Sequence, residues 1–378
     1  MAGIYIHIPF CKSRCVYCDF FSTTQLTRRK EYVDALIHEW QQRASEIHPK
    51  SEIDVKNTET KPQNDETIHT IYLGGGTPSL LEINDLERLL NALPTTEAEE
   101  ITMECNPGDI TPAKARAWRT MGINRLSIGI QSFDDTLLKK IGRRHTADEA
   151  RNAVRTAQEV GFDNISIDII YGFPWASDNG KRDIEEAISL HVQHISTYCL
   201  TIEEGTPLAR MLQQGVIQET DEDTENTTYD YIAKRLREAG FEHYEVSNFA
   251  LAGRRSLHNS NYWNNTPYIG LGAGAHSYNG IDRSWNPADL ETYIRGINEG
   301  RHVRETEHLS DTDRYNEQIM LGLRTSDGVL FSDLRTPDIA KQYIAGGLLR
   351  LTDSRPQRVV ATQEGLHILN QIIEDLFL

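Results

Sequence analysis

Short apolar runs recur along the first half of the chain, and most are followed by a longer stretch with helical periodicity. The runs are Ile4–Ile8 (IYIHI), Thr70–Leu73 (TIYL), Ile101–Cys105 (ITMEC), Arg125–Ile130 (RLSIGI), Ile165–Ile170 (ISIDII) and His194–Leu200 (HISTYCL). They are rich in β-branched residues and short enough to be fully buried strands. Between them lie RRKEYVDALIHEWQQ, LEINDLERLLNAL, TPAKARAWRTMG, TADEARNAVRTAQEVG and IEEAISLH, which read as amphipathic helices. Glycines close two of these, at Gly122 and Gly161. Strand and helix in alternation predict an α/β fold, a parallel sheet with crossover helices. At least six such units are visible, which favours a full or partial β/α barrel over a short open sheet.

Two regions depart from the pattern. Ser45–Asn64 (SEIHPKSEIDVKNTETKPQN) is polar and aperiodic and reads as a surface insertion between the first helix and the second strand. From about Asp311 a small unit follows: a helix DRYNEQIMLGLRTSDGV, then IAKQYIAGGLLRL, a polar turn at Asp353–Pro356, RVVATQEG, and a last helix LHILNQIIEDLFL. Helices around a short hairpin resemble a winged-helix module. The expected organisation is a barrel over residues 1–235, a sheet extension with extra strands over 236–305, and a small helical C-terminal domain over 306–378.

Composition narrows the functional classes. The 378 residues carry 39 Lys plus Arg against 56 Asp plus Glu, a net charge of −17. Such a surface repels phosphate backbones, and no basic stripe offsets it, so nucleic acid is not the expected partner even of a winged-helix-like unit. No run of eighteen apolar residues is present, and MAGIYIHIPF has neither the basic region nor the cleavage site of a signal peptide, so the expected location is the cytoplasm. Five cysteines, an odd number in a large chain, argue against a disulfide framework.

Three of those cysteines, Cys11, Cys15 and Cys18, sit together in CKSRCVYC. A 4Fe–4S cluster held by three thiolates keeps one iron open, and an open position is what a metal needs to act on a small molecule. The alternatives are a zinc knuckle, for which only His7 or the distant Cys105 offers a fourth ligand, and plain buried thiols. Further along, Gly74, Gly75 and Gly76 follow an apolar strand in YLGGGTPSLL, either as a tight turn or as backbone drawn close to a ligand. Glu104, Gln131 and Asp168 lie in or at the ends of strands, and Arg143 lies just after the fourth. Each alone reads equally well as a structural hydrogen-bonding group. Together with the cysteines they map to the rim where β/α barrels place their active sites.

CKSRCVYC is similar to the CxxxCxxC signature of the radical SAM superfamily, and GGGTP looks like its glycine-rich segment. The resemblance implies that the open iron is chelated by S-adenosylmethionine, whose carbon–sulfur bond is cleaved on one-electron reduction to give a 5′-deoxyadenosyl radical. YIHIPFC, LGGGTPS, ECNPGDIT, RLSIGIQSFDD, GRRHT, SIDIIYGFP and YEVSNFA together resemble the oxygen-independent coproporphyrinogen III oxidase family and its HemW branch, from Ile4 to beyond Tyr278. By that resemblance Cys11, Cys15 and Cys18 would ligate the cluster. Tyr5, Gly75, Gly76, Thr77, Glu104, Gln131, Arg143 and Asp168 would contact S-adenosylmethionine.

The oxidases carry a fourth cysteine two positions after the third, where this chain has Phe20, and a long extension ahead of the cysteine strand, where Tyr5 stands almost at the start. HNSNYW, His258–Trp263, fits the HNxxYW motif of the HemW branch. It reads as a polar loop in which His258 would ligate heme and Tyr262 and Trp263 would stack on it. His276, in the glycine-dense GLGAGAHSY, is the second-choice ligand. The expected function is therefore a heme chaperone with a 4Fe–4S cluster, S-adenosylmethionine and heme as cofactors. Its partners would be an electron donor and a heme-acceptor protein, which could itself be membrane-associated. Nothing in the residues calls for more than a monomer or a weak dimer. The alternatives are oxidative decarboxylation of coproporphyrinogen III to protoporphyrinogen IX and a non-catalytic redox sensor; the full set of S-adenosylmethionine contacts argues against the sensor.

Overall fold

Side chains alternate sides along a strand, so the sequence of each strand decides what faces the helices and what faces the barrel interior. The computed structural model describes residues 2–46, 67–176, 178, 180–301 and 304–378. Six strands, β1 (Ala2–Ile8), β2 (Ile68–Gly75), β3 (Glu100–Cys105), β4 (Arg125–Gln131), β5 (Ile165–Tyr171) and β6 (His194–Cys199), pair in parallel in chain order. They match the six runs read from sequence to within two residues at each end. Helices cross over between them, so the expected partial (β/α)6 barrel is present. The polar stretch 45–64 falls, after Glu46, outside the described residues.

Ile4, Ile6, Ile8, Ile71, Leu73, Ile128, Ile130, Ile167 and Ile169 are fully buried in one core with Leu36, Leu89, Trp118 and Val154 of the surrounding helices. Each such side chain contributes roughly 1.5–3 kcal/mol relative to exposure. The intervening positions point inward. Register aligns Tyr5 with Tyr72, Tyr72 with Thr102, Glu104 with Ser127, and Asp168 with Ser196. The helices begin and end as their sequences dictate. In Ala147–Val160, Thr146 and Glu149 form a reciprocal capping box, and Gly161 closes the helix at φ 96°.

Extra strands widen the sheet to twelve. Beyond β6 lie β7 (Glu242–His243) and β8 (Asn248–Ala250). Beyond β1 lie β9 (Tyr268–Leu271), parallel to it, then β10 (His276–Tyr278), β11 (Asp282–Trp285) and β12 (Glu305–His308), antiparallel.

The last part of the chain builds a separate antiparallel sheet from β13 (Val329–Leu330), β14 (Leu349–Leu351) and β15 (Arg358–Ala361), with helices around its own core of Tyr315, Ile319, Val359, Ile372 and Leu376. This is the winged-helix-like unit. Two helices differ from expectation. The first stops at Gly322 rather than running through SDGV, because residues 323–328 turn and Val329 pairs with Val359. The last breaks at Ile368, giving Gln363–His367 and Leu369–Leu376. Backbone bonds from Val246 to the Arg324 carbonyl (3.0 Å) and from Ser326 to the Tyr244 carbonyl (2.9 Å) stitch this unit to the barrel.

Candidate functional site

The C-terminal ends of the parallel strands open onto a chamber of about 480 Å³, within the range of small-molecule sites. Cys11, Cys15, Cys18, Gly75, Gly76, Thr77, Glu104, Gln131, Arg143 and Asp168 all line it. The cysteines lie on the loop after β1. That loop is pinned at its ends, where Cys11 N–H donates to the Thr23 carbonyl (2.9 Å) and Thr23 N–H to the Pro9 carbonyl (2.7 Å). Midway, Val16 N–H donates to the Ile141 carbonyl (3.2 Å), and Tyr17 meets the edge of Phe173.

Burial pushes the Cys11 thiol up, and burial and the neighbouring thiols push Cys18 up to about 11. Such thiols become thiolates readily only when a positive centre sits among them. Among the described residues, no three His, Cys, Asp or Glu side chains converge as a single ion requires. His7 has both ring nitrogens engaged, with the Tyr5 hydroxyl (3.1 Å) and the Phe21 carbonyl (2.9 Å), so it is no ready fourth zinc ligand. Three thiols on one loop are the donor set that an iron–sulfur group with thiolate ligands would use.

The glycine loop brings backbone to the same place. Gly75 has φ +107°, and a Cβ there would lie 2.5 Å from the His7 ring; at Gly76 it would lie 2.7 Å from the Pro9 backbone. Gly75 N–H donates to Glu104 Oε2 (3.0 Å) and the Tyr72 hydroxyl to Oε1 (2.9 Å). Burial, and then Asp168, still hold the Glu104 carboxyl up at about 7, against those two hydrogen bonds. Burial also raises Asp168, which accepts from the Ser127 hydroxyl (3.3 Å). Two carboxyls in one chamber, both raised, favour a ligand that brings positive charge. On the other side Arg143 donates to Asn106 Oδ1 (2.6 Å) and the Gly129 carbonyl and lies 3.7 Å from Cys15 Sγ. Its Nε is buried without a partner. Gln131 ends β4 at φ +72°, a strained conformation for a side-chain residue, beside the irregularity between Gly129 and Gln131. A zwitterionic, cationic small molecule suits this mixture of acids, a guanidinium and backbone donors.

Not every expected residue reaches the chamber. Tyr5 stands behind it, stacked on Tyr72 at 6.2 Å. HNSNYW is not a loop: Ser256 caps it, and residues Leu257–Trp263 form a short helix. His258 is 1% exposed, with Nδ1 2.8 Å from Thr70 Oγ1 and Nε2 2.9 Å from the Tyr262 hydroxyl. Burial depresses it to about 3, so the ring is neutral. Of that helix, Asn259 lines the chamber, while His258, Tyr262 and Trp263 do not. His276 is exposed and stacks on Trp285 at 5.9 Å. Phe20, 67% exposed, stands at the chamber wall.

Other lining residues escaped the sequence reading: Tyr72, Arg125, Ser127, Asn106, Ser196 and Tyr198. A signal for most of them exists. In RLSIGIQ, Arg125, Ser127 and Gln131 alternate with Leu126, Ile128 and Ile130, which marks a polar interior face opposite an apolar exterior.

Comparison with known proteins adds the following. A family model described as the Radical SAM superfamily matches residues 5–189. The chain is 34% identical to "Heme chaperone HemW" of Lactococcus lactis subsp. lactis (strain IL1403), over 99% of this chain and 97% of that protein. It is 33% identical to "Heme chaperone HemW" of Bacillus subtilis (strain 168), over 98% of each. Among solved structures, the coproporphyrinogen III oxidase HemN of Escherichia coli, described as a radical SAM enzyme, superposes with a TM-score of 0.78. That match spans 100% of this chain and 90% of that one at 20% identity, a likeness of fold.

Proposed function

Since the chain belongs to the heme chaperone HemW family of the radical SAM superfamily, we propose that it binds one 4Fe–4S cluster, S-adenosylmethionine and heme, and passes heme to an acceptor protein. The observation that carries the reading is the gathering of three thiols, a glycine loop and two raised carboxyls on one chamber. Cys11, Cys15 and Cys18 hold the cluster. When bound, that cluster supplies the electron that cleaves a carbon–sulfur bond of S-adenosylmethionine.

The protein's own residues orient and shield. Glu104, held between Tyr72 and Gly75, accepts from the amino group of S-adenosylmethionine. Gly75, Gly76 and Thr77 let backbone approach it, and Gln131, Arg143 and Asp168 line the rest of its bed. The Arg143 guanidinium also reaches Cys15 Sγ (3.7 Å) and brings positive charge to the cysteine loop. Tyr5 supports the Tyr72 ring from behind.

Phe20 stands where the oxidase branch has a further cysteine, and its exposed ring offers a flat macrocycle an aromatic face. His258 can serve a heme iron only after giving up one of two hydrogen bonds, each worth about 1 kcal/mol. A separate electron donor would be the partner that provides the electron. Among the described residues no helix is long and apolar enough to cross a membrane; we place the protein in the cytoplasm, where a membrane-associated acceptor would meet it from the soluble side.

The test is anaerobic reconstitution followed by heme titration. Cluster absorption together with a saturable shift of the heme band is expected. A protein that takes up the cluster and leaves the heme band unmoved contradicts the reading.

A further inference from the structure

Asn259 brings the short helix Leu257–Trp263 to the chamber wall, and that helix packs against the starts of β1, β2 and β3 at Gly3, Thr70 and Glu100. Its N-terminus is fixed by a buried carboxylate: Glu100 accepts from Leu257 N–H (3.0 Å) and His258 N–H (3.1 Å) and lies 3.9 Å from Arg125. Asn261 Nδ2 donates to Thr70 Oγ1 (3.1 Å), the hydroxyl that also meets His258. The space around the His258 ring is closed, since a Cβ on Gly3 would lie 3.2 Å from it. Held at both nitrogens, the ring lies flat against Tyr72, centroids 5.1 Å apart and planes 26° apart. Tyr5 stacks on Tyr72 as well, at 6.2 Å, and lies 6.5 Å from the His258 ring, so the three rings form one cluster. The Tyr72 hydroxyl is the one that donates to Glu104.

We infer that His258 is a positioning residue of the S-adenosylmethionine site, acting through Tyr72 on the Glu104 carboxylate. The inference rests on the assignment of the chamber to S-adenosylmethionine and goes beyond it. Among the described residues Glu104 is hydrogen-bonded by the Tyr72 hydroxyl and the Gly75 amide and pairs with no cation, so its orientation depends on those two donors. The Tyr72 ring can swing only if a neighbour yields. His258 is the neighbour fixed on all sides, with both ring nitrogens engaged, so an iron would first have to displace one of those bonds. The HNSNYW helix and the cofactor chamber thus share one stack of rings, and whatever displaces the helix loosens Glu104.

The experiment uses the full-length, cluster-loaded protein under anaerobic conditions and measures three quantities for each variant: cluster iron content, the dissociation constant of S-adenosylmethionine, and heme affinity. His258→Ala and Tyr72→Phe are each expected to weaken S-adenosylmethionine on the order of tenfold, with iron content unchanged. The double variant should be little worse than either single one, because both break the same link. His258→Phe, which keeps a ring against Tyr72 and cannot ligate iron, should return most of the affinity. Unchanged S-adenosylmethionine affinity in His258→Ala, or losses that multiply in the double variant, would overturn the inference. Should His258→Ala fail to load its cluster, Thr70→Val and Tyr262→Phe each remove one hydrogen bond from the ring; about a twofold loss is expected, and none overturns the inference. Wild-type protein that binds S-adenosylmethionine and not heme would sink the chaperone function and leave this inference standing.

Discussion

Replacing Glu104 with glutamine should weaken S-adenosylmethionine binding at pH 8 and matter progressively less as the pH falls. The reason lies in how the carboxyl is held. Burial and the nearby Asp168 raise it to about 7 in spite of hydrogen bonds from Tyr72 and Gly75. A carboxyl raised in this way is neutral below about pH 7 and charged above it. Its ionised fraction is then about 0.9 at pH 8 and about 0.1 at pH 6. If only the carboxylate grips the amino group, the wild-type advantage over Glu104→Gln shrinks about tenfold between those values, or about 1.4 kcal/mol. The amino group of the ligand titrates in a similar range, near 8. That contribution is common to both proteins and cancels in the ratio of their dissociation constants. Equilibrium dialysis at pH 6, 7 and 8, with the cluster kept oxidised so that no turnover occurs, gives that ratio directly. A ratio that does not change with pH, or a glutamine variant that binds as tightly as wild type at pH 8, would refute the argument.

The remaining predictions concern cluster, core and fold. Cys15→Ala should lose the visible cluster absorption while keeping its far-ultraviolet circular dichroism, because the loop is pinned by backbone bonds at Cys11, Val16 and Thr23. Glu39→Gln should destabilise by about 1.5–3 kcal/mol in denaturant unfolding. Glu39 is 1% exposed and accepts from Arg43 (2.9 Å), Asn286 (2.8 Å), Tyr293 (2.7 Å) and the Gly272 amide (2.9 Å), so its loss leaves the buried Arg43 guanidinium only the more exposed Glu46 (3.1 Å) as a counter-charge. Trp118→Ala empties a fully enclosed place between helix and sheet and should cost about 3–5 kcal/mol by the same measurement.

The barrel was legible because its strands advertise themselves. Ile4, Ile6 and Ile8, or Ile165, Ile167 and Ile169, can be satisfied only against helices, and a helical period follows most of these runs. The chamber was legible in part because its chemistry uses residues that are expensive to bury. Asp168 inside ISIDII and Glu104 inside ITMEC invite the question of what they serve. Tyr72 was harder, since a tyrosine in TIYL reads as core until its hydroxyl is seen on Glu104. The HNSNYW segment misled for a related reason. Its polar composition reads as a loop, yet Ser256 caps a helix there, and Thr70, Glu100 and Tyr262 satisfy its polar atoms one by one. Thr70 and Glu100 lie far away in sequence on β2 and β3, and single-sequence periodicity carries no information about them. The break at Ile368 is likewise hidden, because the helical period continues through it.

We propose that the fold and cofactor chamber of a radical SAM protein serve heme delivery here rather than porphyrinogen decarboxylation, and one paired measurement tests this. Cluster-reconstituted protein is given heme and a heme-free acceptor in one vessel, and coproporphyrinogen III, S-adenosylmethionine and a reductant in another. The heme band is expected to shift on binding and to shift again as the acceptor fills, while no protoporphyrinogen accumulates. Steady production of protoporphyrinogen IX, with heme neither bound nor passed on, would contradict it.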